Sequence, residues 1–150
     1  MTESIGKKLL FIINPGSGNG DIDWQATITD YFATLTYTID FFNLPAKCDL
    51  GKINNKIAIF LPEAVIAVGG DGTVKLVAEC LLKKNIPMGI LPAGSANGLS
   101  KELGISDNPV QALNGLTHAY LKSIHAIRVN DELCIHLSDI GFNAFVIKKI

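Results

Sequence analysis

Gly69-Gly70-Asp71-Gly72-Thr73 is the segment whose residue types and spacing best suit chemistry, and that chemistry is anion binding. Glycines at 69, 70 and 72 remove the side chains that would hold an anion away from backbone N–H groups, and they tolerate a positive φ. A helix starting here adds unpaired N–H donors and the positive end of its dipole, a combination suited to phosphate. Asp71 does not fit a simple cradle, because a carboxylate repels a phosphate beside it. Its presence makes sense if Mg²⁺ bridges the two, or if it faces an incoming hydroxyl and accepts its proton. Both roles belong to phosphoryl transfer. The plain structural alternative is a strand-to-helix turn that needs glycine, with Asp71 as a helix cap.

Two further segments have similar character. Asn14-Pro15-Gly16-Ser17-Gly18 offers the Asn14 amide, the Ser17 hydroxyl and two glycine backbones. Pro92-Ala93-Gly94-Ser95-Ala96-Asn97-Gly98 offers Gly94, Ser95 and Asn97 ahead of a helix whose first N–H groups are free. Each alone reads as an ordinary turn and cap. Three such loops gain weight if the fold brings them to one edge.

The elements that must position them can be read from periodicity. Leu9-Leu10-Phe11-Ile12-Ile13, Ala64-Val65-Ile66-Ala67-Val68 and Met88-Gly89-Ile90-Leu91 are short apolar runs ended by polar, glycine- or proline-bearing loops, the pattern of strands buried on both faces. Residues 37–42 read as another strand. Between them, helical spacing predicts helices over residues 22–35, capped by Asp21, over 49–61, and over 74–82. Ser95 is expected to cap a short helix ending at Gly104, and Pro109 to open one more, to about Leu116. This alternation predicts a three-layer α/β/α fold with a mainly parallel sheet and right-handed crossovers. In such a sheet ligands bind at the carboxyl ends of the strands, where all three loops fall. Residues 120–129 and 132–138 read instead as two strands around an Asn130-Asp131 turn, a β-hairpin. The expected organisation is a nucleotide-binding α/β domain over residues 1–118, followed over 119–150 by a hairpin that begins a second, β-rich domain.

The composition bounds the rest. A chain of 150 residues suits one domain able to bury roughly two-thirds of its unfolded surface. With 48% hydrophobic and 18% charged residues it belongs with packed globular proteins. A mean hydropathy of +0.31 points to apolar surface meant for a partner or further domain. The net charge of −1 and scattered lysines give nucleic acid no footprint. No apolar run is long enough to span a bilayer, and the N-terminus lacks a secretory pattern, so a cytoplasmic location is expected. Cys48, Cys80 and Cys134 lack paired spacing and read as reduced, structural thiols.

Taken in order and spacing, Asn14-Pro15-Gly16-Ser17-Gly18, Gly69 to Val74 and Gly89 to Asn97 resemble the diacylglycerol kinase catalytic domain shared with sphingosine kinases and bacterial lipid kinases. The likeness covers nearly the whole chain and extends to Val129-Asn130 and Gly141-Phe142-Asn143-Ala144. The resemblance implies ATP- and Mg²⁺-dependent phosphorylation of a lipid hydroxyl. By that implication Gly69, Gly70, Asp71, Gly72, Thr73, Lys75 and Ser95 bind ATP, together with the candidates Asn14, Ser17, Gly94 and Asn97 from the flanking loops. Asp71 is the residue assigned to phosphate, metal or catalysis. The partners implied are ATP and a lipid, with peripheral membrane contact in a full-length protein. Further magnesium ligands and the catalytic base are expected beyond Ile150. Two positions depart from the family pattern: Lys75 stands where Asn is usual, and Gly98 where Asp is usual. A non-catalytic nucleotide-binding or regulatory module, or a relative of NAD kinases sharing the glycine loop, are the alternatives.

Other residues carry no assigned chemistry. His118, His125 and His136 share no ligand spacing, and His136 falls in the second hairpin strand, so satisfied or solvent-facing histidines are expected. Asp139 suits a turn, and Phe41-Phe42 suits the core. An apolar face around residues 124–146 is expected to drive self-association into homo-oligomers.

Overall fold

The computed structural model describes residues 6–18 and 20–136. Four parallel strands, β1 (Lys8–Ile13), β2 (Thr38–Asn43), β3 (Ala64–Gly69) and β4 (Met88–Pro92), form one sheet in the order β2-β1-β3-β4. The crossovers carry α1 (Trp24–Phe32), α2 (Leu50–Phe60) and α3 (Asp71–Leu81), and α4 (Gly98–Glu102) and α5 (Pro109–Thr117) follow β4. Strand order reverses at β1, whose neighbours are β2 on one side and β3 on the other. Such a reversal opens a crevice between loops that leave the sheet in opposite directions.

The sheet is buried on both faces because its central strands have no polar side. Every residue of β3 is buried, and Leu9, Leu10, Phe11 and Ile12 of β1 are fully enclosed. Alternation sorts them: Leu9, Phe11, Ile66 and Val68 pack with Trp24, Ile28 and Phe32 of α1 and Leu113 of α5. Leu10, Ile12, Val65 and Ala67 pack with Ile53 and Ile57 of α2 and Val74 and Val77 of α3. Each such large side chain contributes about 1.5–3 kcal/mol on burial. Phe41 and Phe42 join the two clusters as expected.

Local capping corrects three boundaries. The first helix begins at Trp24, and its cap is Asp23, not Asp21: Asp23 Oδ1 accepts from Ala26 N–H at 3.0 Å. That start brings Trp24 to the head of the buried stripe while Ile22 stays exposed. α4 is capped at Asn97, not Ser95, because Asn97 takes the left-handed conformation (φ 52°) and the helix starts only after it. The hairpin is shorter than expected. β5 (Ile127–Val129) and β6 (Glu132–Cys134) flank Asn130 and Asp131, both at positive φ as this tight turn requires, and residues 121–126 carry no strand. His136 therefore lies beyond β6, while Asp139, Gly141 and the rest of 137–150 fall outside the described residues. No helix among the described residues is long and apolar enough to cross a membrane.

Candidate functional site

The loops after β1, β3 and β4 meet at one edge of the sheet. The backbone of the first is stitched to β3, with Asn14 N–H donating to Val68 C=O at 2.9 Å, and Ala93 N–H of the third donates to Gly69 C=O at 3.0 Å. The Asn14 amide then spans the crevice: Nδ2 donates to Thr73 Oγ1 at 3.2 Å while Oδ1 accepts from Gly16 N–H at 3.0 Å. Thr73 is itself buried on the first turn of α3. A polar bond links two loops that sequence places fifty-nine residues apart.

Close approach explains the glycines. A β-carbon on Gly94 would strike the Gly70 backbone, and one on Gly69 would strike the Thr73 side chain. At Gly18 (φ +68°) it would lie 2.5 Å from Ala93 C=O. Gly72 differs: a β-carbon there meets nothing within 4 Å, so its surface faces open space at the start of α3. The amino end of this eleven-residue helix has no side-chain cap, which leaves its positive pole available.

Asp71 opens α3, yet its carboxylate is engaged elsewhere. Oδ2 accepts from Gly98 N–H at 3.0 Å and Oδ1 from Leu99 N–H at 3.2 Å. It thus caps α4, a helix twenty-seven residues further along. Asn97 closes the third loop on itself, with Oδ1 accepting from Gly94 N–H at 2.9 Å and Nδ2 donating to Gly94 C=O at 2.7 Å. Ser95 is exposed at that loop's tip, and Ser17 is half-buried with its N–H bonded to Asn14 C=O. Lys75, one turn along from Asp71, points to the hairpin and pairs with Glu132 at 3.1 Å. Asn14, Gly70, Asp71, Thr73, Gly94 and Asn97 are therefore assembled at one edge, while Lys75 turns away to β6.

Beside them lies a cleft of about 400 Å³ between the loops after β1 and β2 and the first turns of α3. Asn14, Pro15, Gly16, Gly72 and Thr73 form one part of its lining, and Leu44, Pro45, Ala46, Cys48 and Leu76 the other. One part is polar backbone and amide; the other is apolar.

Residues 8–129 match the family profile of the diacylglycerol kinase catalytic domain. The chain belongs to that family. Among its relatives, a diacylglycerol kinase of Mycobacterium tuberculosis is 34% identical over 71 residues, 47% of this chain and 23% of the relative. The uncharacterized protein sll0036 of Synechocystis is 38% identical over 149 residues, 92% of this chain and 34% of the relative. A crystal structure of a diacylglycerol kinase from Bacillus anthracis superposes with a TM-score of 0.72 at 27% identity, over 85% of this chain and 45% of that one. The chain thus spans about a third or less of these curated relatives and under half of the solved structure.

In this diacylglycerol kinase catalytic domain the loop after β2 is the part of the site that sequence reasoning missed. Leu44 to Cys48 carries no glycine cluster, and its only signal was its place at the carboxyl end of a strand beside the reversal in strand order. His136, expected to be satisfied or solvent-facing, is paired: its Nδ1 lies 2.8 Å from Glu102 Oε2. Among the described residues no group of three acidic, histidine or cysteine side chains is placed to hold a metal ion. Cys48, Cys80 and Cys134 are free thiols, and burial pushes the Cys80 thiol up to about 11.

Proposed function

We propose that the chain is the ATP-binding portion of a lipid kinase that transfers the γ-phosphate of ATP to a lipid hydroxyl. The observation that carries the reading is the open surface over Gly72, at the uncapped start of α3 and at the lip of a cleft with one polar and one apolar side. Phosphates suit the glycine backbone and helix pole. A purine suits the lining of Leu44, Pro45, Ala46 and Leu76, and the cleft volume falls in the range of small-molecule sites. Ser17, Gly69, Gly70, Gly94 and Ser95 complete the proposed phosphate side, with Asn14 and Thr73 holding it in shape.

Magnesium fits this arrangement in one way. Mg²⁺ is commonly held by one or two carboxylates together with substrate phosphates and water. Asp71 supplies one carboxylate, and an ionised carboxyl has acceptor capacity beyond the two N–H groups it already meets. The ion would supply charge neutralisation on the transferring phosphoryl group. Asn14, Asp71 and the glycine backbones would bind and orient the nucleotide.

This reading treats residues 1–118 as the nucleotide-binding domain and the hairpin as the start of a second. It takes a lipid as the phosphoryl acceptor, reached by peripheral contact with a membrane, and the cytosol as its ATP-rich, reducing compartment; free thiols suit that setting. A non-catalytic nucleotide-binding module is the second reading, favoured by the engagement of Asp71 as the cap of α4.

MgATP at a hundredfold excess over its Kd should stabilise the chain by ~2.7 kcal/mol, raising the melting temperature by roughly 5–10 °C. The absence of any shift with ATP, ADP or GTP would overturn the binding claim. Transfer of labelled γ-phosphate to a lipid extract by the full-length gene product, lost in Asp71→Asn, separates kinase from passive binder.

A further inference from the structure

His136 sits across the exposed side of α4. Its Nδ1 lies 2.8 Å from Glu102 Oε2, and because a carboxylate only accepts, Nδ1 carries the proton. At the other edge of the ring, Nε2 lies 2.6 Å and Cδ2 2.8 Å from the point where a β-carbon on Gly98 would stand. Asp71 Oδ2 is 3.6 Å from that same point. Gly98 and Glu102 are four residues apart, one above the other on a helix face, so the imidazole spans the length of α4. A β-carbon at 98 would collide with the ring in this position and push it aside.

The ring is held there by the hairpin. Leu133 is buried, Ile135 packs against the cluster beneath α3, and Lys75 pairs with Glu132. That ion pair is exposed and weak, so the apolar contacts do more of the docking.

We propose that His136 is a positioning residue for the Asp71 carboxylate, acting through the Gly98 peptide. The proposal rests on the reading of Asp71 as the phosphate- and magnesium-facing group. A helix of five residues cannot hold its own first turn in water, since nucleation is unfavourable and few bonds follow it. α4 is braced from outside, by Asp71 at its amino end and by His136 along its side. With the imidazole seated, the Gly98 and Leu99 N–H groups stay on the carboxylate and fix its rotation. With the seat empty, those amides drift and the carboxylate loses the fixed rotation that presents its remaining lone pairs to magnesium. Gly98 and Lys75, the two departures from the usual pattern, thus both serve the hairpin: one makes room for His136 and the other pairs with Glu132.

The test is calorimetric titration of MgATP, and of ATP in EDTA, into the 150-residue chain carrying His136→Ala, Glu102→Ala, Asp71→Asn, Gly98→Ala or His136→Ala with Asp71→Asn. His136→Ala and Glu102→Ala should each weaken MgATP roughly tenfold, the scale expected of groups that support a ligand-binding side chain. Metal-free ATP should be affected less, and the unliganded melting temperature little. Gly98→Ala should give the same loss, because its methyl displaces the ring. In the Asp71→Asn background His136→Ala should add nothing. Glu102 is exposed, so Glu102→Ala keeps the test alive should His136→Ala fail to fold. Wild-type affinity in His136→Ala and Glu102→Ala, with Asp71→Asn weakened, overturns the proposal alone, as do losses that multiply in the double variant. Wild-type affinity in Asp71→Asn overturns the proposal together with the reading of Asp71.

Discussion

The Asn14 amide donates to the Thr73 hydroxyl at 3.2 Å and joins the loop after β1 to the first turn of α3. The same side chain orders its own loop by accepting from Gly16 N–H, so Asn14 is the hinge pin of the crevice. The bond to Thr73 is not visible in the local sequence and depends on the strand order β2-β1-β3-β4, whereas the bond from Gly16 is local, an Asx turn within Asn14-Pro15-Gly16.

Asn14→Ala removes both bonds and should destabilise the chain by about 1–2 kcal/mol, lowering the melting temperature by a few degrees. Asn14→Asp keeps an acceptor for Gly16 and for the Thr73 hydroxyl, so stability should hold. It also puts a negative charge beside the phosphate loop, and MgATP affinity should fall by tenfold or more on the scale of ~1.4 kcal/mol per decade. Thermal melts and calorimetry on the two variants separate architecture from electrostatics; equal affinity in Asn14→Asp and wild type would place the phosphates elsewhere.

Gly72→Ala and Gly94→Ala should part company. At Gly94 a methyl meets the Gly70 backbone, which cannot swing aside, and overpacking of this kind costs about 1–3 kcal/mol or more. At Gly72 it meets nothing, and alanine in the first turn of a helix should leave stability unchanged or raise it by up to ~1 kcal/mol. The methyl would occupy the space assigned to the phosphates, so Gly72→Ala should bind MgATP more weakly than wild type while melting no lower. Unchanged affinity would remove Gly72 from the site.

Alkaline stability should carry the mark of Cys80. Its folded value is raised by burial from 9.0 to about 11, so the folded state disfavours the thiolate. The stabilisation is fully present below pH 9 and is lost as pH rises from there through about 11, amounting to ~2–3 kcal/mol. Cys80→Ala should flatten that part of the unfolding profile. A disulfide reagent at pH 8 should modify the half-buried Cys48 and Cys134 well before the buried Cys80.

Acid stability should show a smaller effect of opposite sense at Asp40. The Lys56 ammonium, 2.6 Å away, holds its carboxyl below the ordinary value of 3.8. The contribution is therefore present above that value and lost as pH falls through the lower folded value. The pair is partly exposed, so it contributes under about 1 kcal/mol. Asp40→Asn should remove this dependence from urea midpoints measured between pH 5 and 2; an unchanged profile would show the pair to be energetically silent.

The strands and the glycine loops were legible in the sequence because their cause is local. Leu9 to Ile13 and Ala64 to Val68 have no polar face to expose, and a glycine before a helix announces a backbone that something approaches. Caps were legible to within a residue or two, and Asp23 prevailed over Asp21 because the buried stripe begins at Trp24. The destination of the Asp71 carboxylate was not legible. A cap is normally sought on the residue's own helix, whereas this one crosses from β3–α3 to α4 through the pairing of β3 with β4. The apolar side of the cleft escaped for the same reason: Leu44 to Cys48 become a wall only when parallel pairing with β1 places their loop opposite α3.

The back-to-back contact of Gly70 and Gly94 bears on how the gene can vary. A β-carbon on Gly94 meets the Gly70 α-carbon, an atom every amino acid carries, whereas one on Gly70 approaches the Gly94 α-carbon at 3.2 Å. No replacement at 70 can therefore compensate a replacement at 94. A suppressor screen begun from Gly94→Ala should return few second-site revertants at position 70, and one begun from Gly70→Ala should recover more readily through small backbone adjustments nearby. Codon 94 should accordingly be the less permissive of the two in saturation mutagenesis selected for folding alone.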